Sequence, residues 1–389
     1  MSQFTINPFI HIDEPQMRRG TLVEVHISDT HFGVIDPKVQ YNILTEQFIN
    51  KINKIHFDIL SIDGDLFDHK FLANSDSVRY AMQFVDDLAA LCRYYNATLV
   101  LLHGTESHDA NQLKLFYHYR EDPTLDIRII ETACFQYIKG AKVLCLPEEY
   151  GKGKMYYRNL LYFSGLYDTV FMHGNLKGAI YGADEEDLDA IRNPTFSIES
   201  FSQCLGPIIA GHVHVAGCYD KYMYYNGSPY RWTFGEEKPK GFMVILHNLD
   251  TQEHYAHFEE ITSFRYDTIN LDEMVDKDPK EVIAYISELQ KQGIDNIRVE
   301  FTLGDPQWLD IIQQYYKNNG SVKIKADIAA VKEQAKKTAE FEEKYQKYNY
   351  ILDSNLTPYD ILTRYINEAK GCVYITVDEL KEILSDMEG

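Results

Sequence analysis

The 389-residue sequence has no stretch approaching the roughly 18 consecutive apolar residues that a membrane helix needs. Its first residues, MSQFTINPFIHIDEPQMRRG, hold no basic segment followed by an apolar run. They read as a short extension, residues 1–20, ahead of the first strand, not as a secretory signal. Cysteine is sparse and unpaired in sequence: Cys92, Cys134, Cys145, Cys204, Cys218 and Cys372 form no CxxC. A chain of this length can build a core without disulfides, so buried free thiols in a reducing cytoplasm are expected. Positive charge is also short, with 38 Lys and Arg against 59 Asp and Glu and a net charge of -21. That argues against a large basic nucleic-acid surface. It leaves room for a nucleic-acid enzyme, because divalent cations make a carboxylate-rich site locally positive. There is no internal repeat and no low-complexity run.

What remains is ordinary globular material, 45% hydrophobic and 25% charged. Strand-like runs LVEVHI (22–27), DILSID (58–63) and TLVLLH (98–103) alternate with helical patterns at 38–54 and 75–95. The first helical pattern runs through Val39, Ile43, Phe48 and Ile52. This βαβαβ rhythm predicts parallel strands with helical crossovers. Further strands are expected at DTVFMH (168–173) and PIIAGH (207–212). AGCYD, KYMYYNGS, GFMVILHN and EHYAHFEE follow closely and suggest antiparallel meanders. The expected class is α/β, with two packed mixed sheets flanked by helices over residues 21–262. Residues 263–326 read as a small α+β unit of βαβαβ order, 327–353 as a charged linker helix, and 354–389 as two short helices. Thr357-Pro358 opens the first of these helices, and Thr376 with Glu379 suits a capping box for the second.

Chemistry-bearing residues cluster just after strands. Asp29 and His31 follow LVEVHI, and Asp65 follows DILSID. Ser107, His108 and Asp109 follow TLVLLH, His173 ends DTVFMH, and His212 and His214 follow PIIAG. Loops at the carboxyl ends of strands in α/β sheets converge on one crevice, so these groups should meet. Mixed Asp oxygen and His nitrogen donors suit a dinuclear site and favour Mn, Fe, Zn or Co over Mg. Asp65, with two oxygens, is the natural bridge.

The series DTH…GDLFD…SHD…H…GHVH resembles the calcineurin-like metallophosphoesterase superfamily, whose pattern is D-x-H, G-D, G-N-H-D/E, a lone H and G-H-x-H. NGSPYRWTFGEEKPKGFMVI (226–245) further resembles the segment after G-H-x-H in SbcD-type DNA double-strand-break repair nucleases. The resemblance implies a 3′-to-5′ exonuclease and endonuclease in bacterial or phage-infected cytoplasm. It implies two divalent ions, Mn2+ first and Mg2+ second, a homodimer, DNA as substrate, and an SbcC-type coiled-coil ATPase as partner. It would give Asp29, His31, Asp65 and His214 to one ion, and Asp65, Ser107 or water, His173 and His212 to the other. His108 matches the family's catalytic His, and Asp109 would orient it or form a structural contact. His69 and Arg231 would lie on the substrate side. The 263–326 unit would be a DNA-capping domain. Ile361, Leu362, Tyr365, Ile366, Leu380, Ile383 and Leu384 would dock the coiled coil.

One position departs from the pattern. Ser107 stands where relatives carry Asn, in a loop with two extra residues, Thr105 and Glu106. Three possibilities stay open: the Ser107 hydroxyl ligates, Glu106 turns inward, or water fills the place. Two other functions also remain open: a phosphoprotein phosphatase or cyclic-nucleotide phosphodiesterase of the same superfamily, and a non-cleaving scaffold that binds DNA ends.

Overall fold

The computed structural model describes residues 20–179, 186–188, 194–220, 222–274, 278–301, 306–326, 356–368 and 379. The chain divides into two compact units, Met1–Arg265 and Tyr266–Gly389.

The first unit holds two six-stranded sheets. One contains β1 (Thr21–Ile27), β2 (Ile59–Asp63), β3 (Thr98–Leu102), β4 (Asp126–Ile130), β13 (Gly241–Asn248) and β14 (His254–Glu260), in the order β14-β13-β1-β2-β3-β4. The other contains β5 (Cys134–Ile138), β6 (Ala141–Leu146), β7 (Thr169–His173), β10 (Ile208–Gly211), β11 (Gly217–Asp220) and β12 (Met223–Tyr225), in the order β11-β12-β10-β7-β6-β5. A short parallel pair, β8 (Asn175–Leu176) and β9 (Thr195–Phe196), lies apart. Within the first sheet β1, β2, β3 and β4 run parallel, and within the second β6, β7, β10 and β12 do. The strands after residue 215 do not form one meander: the β11–β12 hairpin finishes the second sheet and the β13–β14 hairpin extends the first.

Strand alternation assigns the faces. On β1, Val23, Val25 and Ile27 pack in a cluster with Phe48 and Phe84, which come from the helical crossovers of the first sheet. Leu22 joins Val143, Cys145, Phe171 and Ile209 of the second sheet in the layer between the sheets. By the same alternation Glu24 and His26 share the face of Leu22, and both are fully buried. His26 pairs with Asp63 (2.9 Å) and Glu24 (3.3 Å), and Asn226 donates to Asp63 (2.7 Å). Burial alone would lower the His26 pKa, but the Asp63 and Glu24 carboxylates raise it to about 9.

The crossover after β1 is helical through Pro37–Leu44, a π turn Thr45–Ile49 and Asn50–Ile52. Its inward stripe begins one residue later than the sequence suggests: Val39 is exposed, while Gln40 and Leu44 are buried. The second crossover, Asp76–Tyr95, starts at an N-cap, Ser75, that accepts from the Val78 amide, and ends at Asn96 in the left-handed region. All five described cysteines are free thiols, and among the described residues no helix is long and apolar enough to cross a membrane.

In the second unit, β15 (Tyr266–Asn270), β16 (Asn296–Phe301) and β17 (Val322–Ala326) are parallel. Helices Pro279–Lys291 and Pro306–Tyr316 connect them, around a core that includes Ile269, Val282, Ile297 and Ile312. Helix and strand therefore alternate in the expected βαβαβ order, which makes the unit α/β, since an α+β unit keeps them apart. Helix Pro358–Glu368 begins where expected, with the Thr357 hydroxyl accepting from the Asp360 amide (3.2 Å). The residues expected to form the linker helix, 327–353, lie outside the described residues, as do Leu380, Ile383 and Leu384 and the side chain of Ile366. Of the other expected docking residues, Ile361 is half-buried, and Leu362 and Tyr365 are exposed.

Candidate metal centre

The carboxyl ends of parallel strands from both sheets deliver the predicted residues to one place. Two groups form: Asp29, His31 and His214, and Asp65, His173 and His212. Within the first, His31 Nε2 lies 3.3 Å from His214 Nε2, and His214 Nε2 lies 3.9 Å from Asp29 Oδ1. In the second, His173 Nε2 lies 3.3 Å from Asp65 Oδ2. The same Asp65 oxygen is 3.7 Å from His31 Nε2, so Asp65 links the groups as a bridge must. Metal–ligand bonds of about 2.0–2.2 Å put neighbouring donor atoms about 3–4 Å apart, and the observed separations fit. These buried His and Asp groups can therefore hold a metal ion.

The backbone is bent to present them. Asp29, His31, Asp65 and His212 have φ of 53°, 43°, 52° and 91°. Non-glycine residues in this region cost on the order of 1 kcal/mol or more each and persist only where surroundings hold them. Here a ladder between the β1 and β2 loops does so: Asp29 N–H donates to Gly64 O (3.1 Å), His31 N–H to Asp65 O (3.0 Å) and Phe32 N–H to Leu66 O (2.9 Å). Gln40 braces the same turn, donating to His31 O (2.9 Å) and accepting from Gly33 N–H (2.7 Å). Gly104 allows the β3 loop to approach, since a Cβ there would fall 2.2 Å from Asp65 N and Oδ1.

The ring orientations suit ligation. His173 Nδ1–H donates to the Asp63 carbonyl (2.8 Å), which leaves Nε2 facing Asp65. His214 Nδ1 faces Glu236 Oε1 (3.3 Å), and Lys240 Nζ bonds both Glu236 (3.1 Å) and His214 O (2.8 Å). Burial would raise the Glu236 pKa, but His214 and Lys240 bring it down to about 2. Burial, reinforced by neighbouring imidazoles, lowers His31 to about 3 and His212 to about 4, so both are neutral lone-pair donors at pH 7. Burial opposes the charged forms of Asp65 and His173, but their mutual attraction prevails, holding Asp65 well below the usual carboxylate range and His173 well above the imidazole range. Burial raises Asp29.

The third motif differs from expectation. Residues 105–110 make a helical turn, with the His108 and Asp109 amides both donating to Thr105 O (2.9 Å each) and the Ala110 amide donating to Glu106 O (3.2 Å). Positions 105 and 109 therefore share one face, and 106 and 107 point the other way. Ser107 and Glu106 are exposed, and Glu106 lies 3.6 Å from His103 Nε2. Thr105 takes the inner place: its N–H donates to Asp65 Oδ1 (2.6 Å) and its hydroxyl lies 3.5 Å from His173 Nε2.

Asp109 does not orient His108. Its fully buried carboxylate accepts from the backbone amides of Asp65 (3.1 Å), Phe67 (3.1 Å) and Gly104 (2.8 Å), clamping the β2 and β3 loops together. Burial and the Asp65 charge push its carboxyl up to about 6. His108 is instead held by the Asp68 carbonyl, to which its Nδ1–H donates, and its ring stands edge-on to His31 with centroids 4.6 Å apart. His31, Asp68 and His108 form a further possible ligand group that shares His31 with the first. His69 is exposed, pairs with Asp68 (2.8 Å) and rests on Phe71. Arg231 donates to the carbonyls of Thr233 (3.0 Å) and Phe234 (2.8 Å), bracing its own turn.

Three residues at the site had not been singled out. Trp232 stands beside His31 and His214, with centroids 5.3 and 4.8 Å away. Glu236 and Glu148 bring carboxylates. Glu148 follows β6, and its Oε2 lies 3.4 Å from His212 Nδ1. The available signal was the one used elsewhere, an acidic residue just past an apolar strand, here KVLCLPEE.

No family model matches this chain, and no curated protein matches it. Among solved structures, one crystal structure aligns with 62% of this chain and 100% of its own, at 13% identity and a TM-score of 0.38, a likeness too slight to bear on function.

Proposed function

We propose that this chain is a metal-dependent phosphodiesterase of the calcineurin-like superfamily acting on DNA, a nuclease subunit of SbcD type. The observation that carries the reading is a pair of His/Asp groups joined through Asp65 at the carboxyl edge of two packed sheets. Two divalent ions, Mn2+ before Mg2+, would be held by Asp29, His31, Asp65 and His214, and by Asp65, His173 and His212. Such a pair supplies a hydroxide at neutral pH and neutralises charge on the phosphate.

The chain's own groups then do the rest. The buried carboxylates and imidazoles fix the donor atoms before substrate arrives, so little reorganisation accompanies the reaction. With Nδ1–H donated to the Asp68 carbonyl, His108 presents Nε2 to the scissile phosphate, where it can help the leaving oxygen depart. No side-chain nucleophile is needed. With a net charge of -21, DNA affinity must come from the ions and from partners. A homodimer, a capping role for the βαβαβ unit and an ATPase coiled coil docked on the tail helix, where Leu362 and Tyr365 are exposed, complete the proposal.

The test is incubation with Mn2+ and linear duplex DNA, and separately with p-nitrophenyl phosphate esters. DNA degradation that His108→Gln abolishes while Mn2+ stays bound is the expected result. Monoester hydrolysis alone would favour a phosphatase. Inactivity on DNA with the ATPase partner present would favour a scaffold.

A further inference from the structure

The first ligand group closes with four residues, Asp29, His31, Asp65 and His214, whereas Asp65, His173 and His212 leave the second one donor short. Ser107, a residue the family resemblance offered, faces solvent. Glu148 stands at the gap. Its side chain is 2% exposed, and Oε2 lies 3.4 Å from His212 Nδ1, 3.9 Å from His173 Nε2 and 3.2 Å from the Thr105 hydroxyl. The two imidazole separations fall within those of the first group, 3.3 to 3.9 Å, and are long for charge-assisted hydrogen bonds to imidazole, about 2.7–2.9 Å. The other oxygen, Oε1, accepts from the Tyr150 hydroxyl (2.6 Å), the kind of outer contact that fixes a ligating carboxylate. A buried carboxylate beside a second one, Asp65, is costly without a compensating cation. The strand order explains the position: β6 pairs in parallel with β7, so the residues after Leu146 emerge beside His173.

We propose that Glu148 supplies a carboxylate oxygen to the ion held by Asp65, His173 and His212, in the place for which the sequence offered Ser107. This rests on the metal-centre reading above. The second position then carries two carboxylates and two imidazoles, and the added anionic oxygen shifts its preference toward Mn2+ and Mg2+ over softer ions.

Calorimetric titration of Mn2+ into the chelator-stripped full chain tests it. Wild type is expected to take up two equivalents. In Glu148→Ala the second should weaken by at least about tenfold, the loss typical of perturbed metal ligation. Glu148→Gln, which keeps an uncharged oxygen donor, should fall between them. Melting of both variants in excess chelator should stay near wild type, which a purely structural role for Glu148 would not allow. Unchanged Mn2+ affinity in whichever variant folds overturns the assignment while leaving the proposed function standing. A wild-type chain that binds no Mn2+ overturns both.

Discussion

Asp109 offers the sharpest test of how the site is built. Its carboxylate is fully buried, with Oδ2 accepting the amides of Asp65 and Gly104 and Oδ1 that of Phe67. Asp109→Ala breaks all three hydrogen bonds at once. A buried donor left unpaired costs about 1–3 kcal/mol, and water entering the small polar void recovers part of that. A net loss of about 4 kcal/mol is therefore expected, within the range diagnostic of a broken buried network. Asp109→Asn keeps one oxygen for the Asp65 and Gly104 amides but turns an NH2 toward Phe67 N–H. It also relieves the repulsion from Asp65 that helps push the Asp109 carboxyl up to about 6. Its cost should be about 1–2 kcal/mol, one orphaned donor less the relief. For a unit of this size, about 2–4 °C per kcal/mol converts these losses to melting shifts of roughly 8–16 °C and 2–8 °C. Melts should be run in excess chelator, because bound metal would mask the change. A clamp predicts the graded order wild type, Asn, Ala in stability, with weaker Mn2+ binding following from a loosened Asp65. An orienting partner of His108 predicts instead a lower kcat in Asp109→Asn at unchanged melting temperature. An Ala variant that melts with wild type would refute the clamp.

Two further outcomes follow from groups behind the site. His26 titrates near 6.5 when unfolded and about 9 when folded, so its contribution is fully present below pH 6.5 and lost as pH rises through 9; it amounts to at most about 3 kcal/mol. Burial opposes the charge of His247, but Glu24 raises it, so it adds the same sign. Urea midpoints measured in chelator should fall across that window in wild type and fall less in His26→Gln; equal slopes would exclude His26 as the source. Glu236→Gln weakens the hold on His214 Nδ1 and should reduce Mn2+ affinity at the first position about 10–100-fold, the usual effect of losing an outer partner. Titration showing both equivalents at wild-type affinity would remove Glu236 from the metal centre.

The strand-end motifs were legible because a parallel sheet carries its own geometry. A residue at the end of a parallel strand or within a few places past it lies at the carboxyl edge, and Asp29, His31, Asp65, His173, His212 and His214 all meet there. Ser107 takes the place of the family's Asn in the motif, directly before His108, but a place in a motif does not fix a place in space. The two extra residues close a helical turn, and that turn faces Thr105 and Asp109 inward and Ser107 outward. LVEVHI has the length and composition of a strand, yet its Glu24 and His26 lie on the face that meets the second sheet. A one-dimensional pattern shows alternation but not that both faces of a strand will be covered. Glu148 was hidden for a related reason. Its segment follows a strand that pairs with β7 only after the chain has crossed from the first sheet to the second. The meaning of an acidic residue there depends on which strand becomes its neighbour, and strand order is fixed by packing between sheets, not by local spacing.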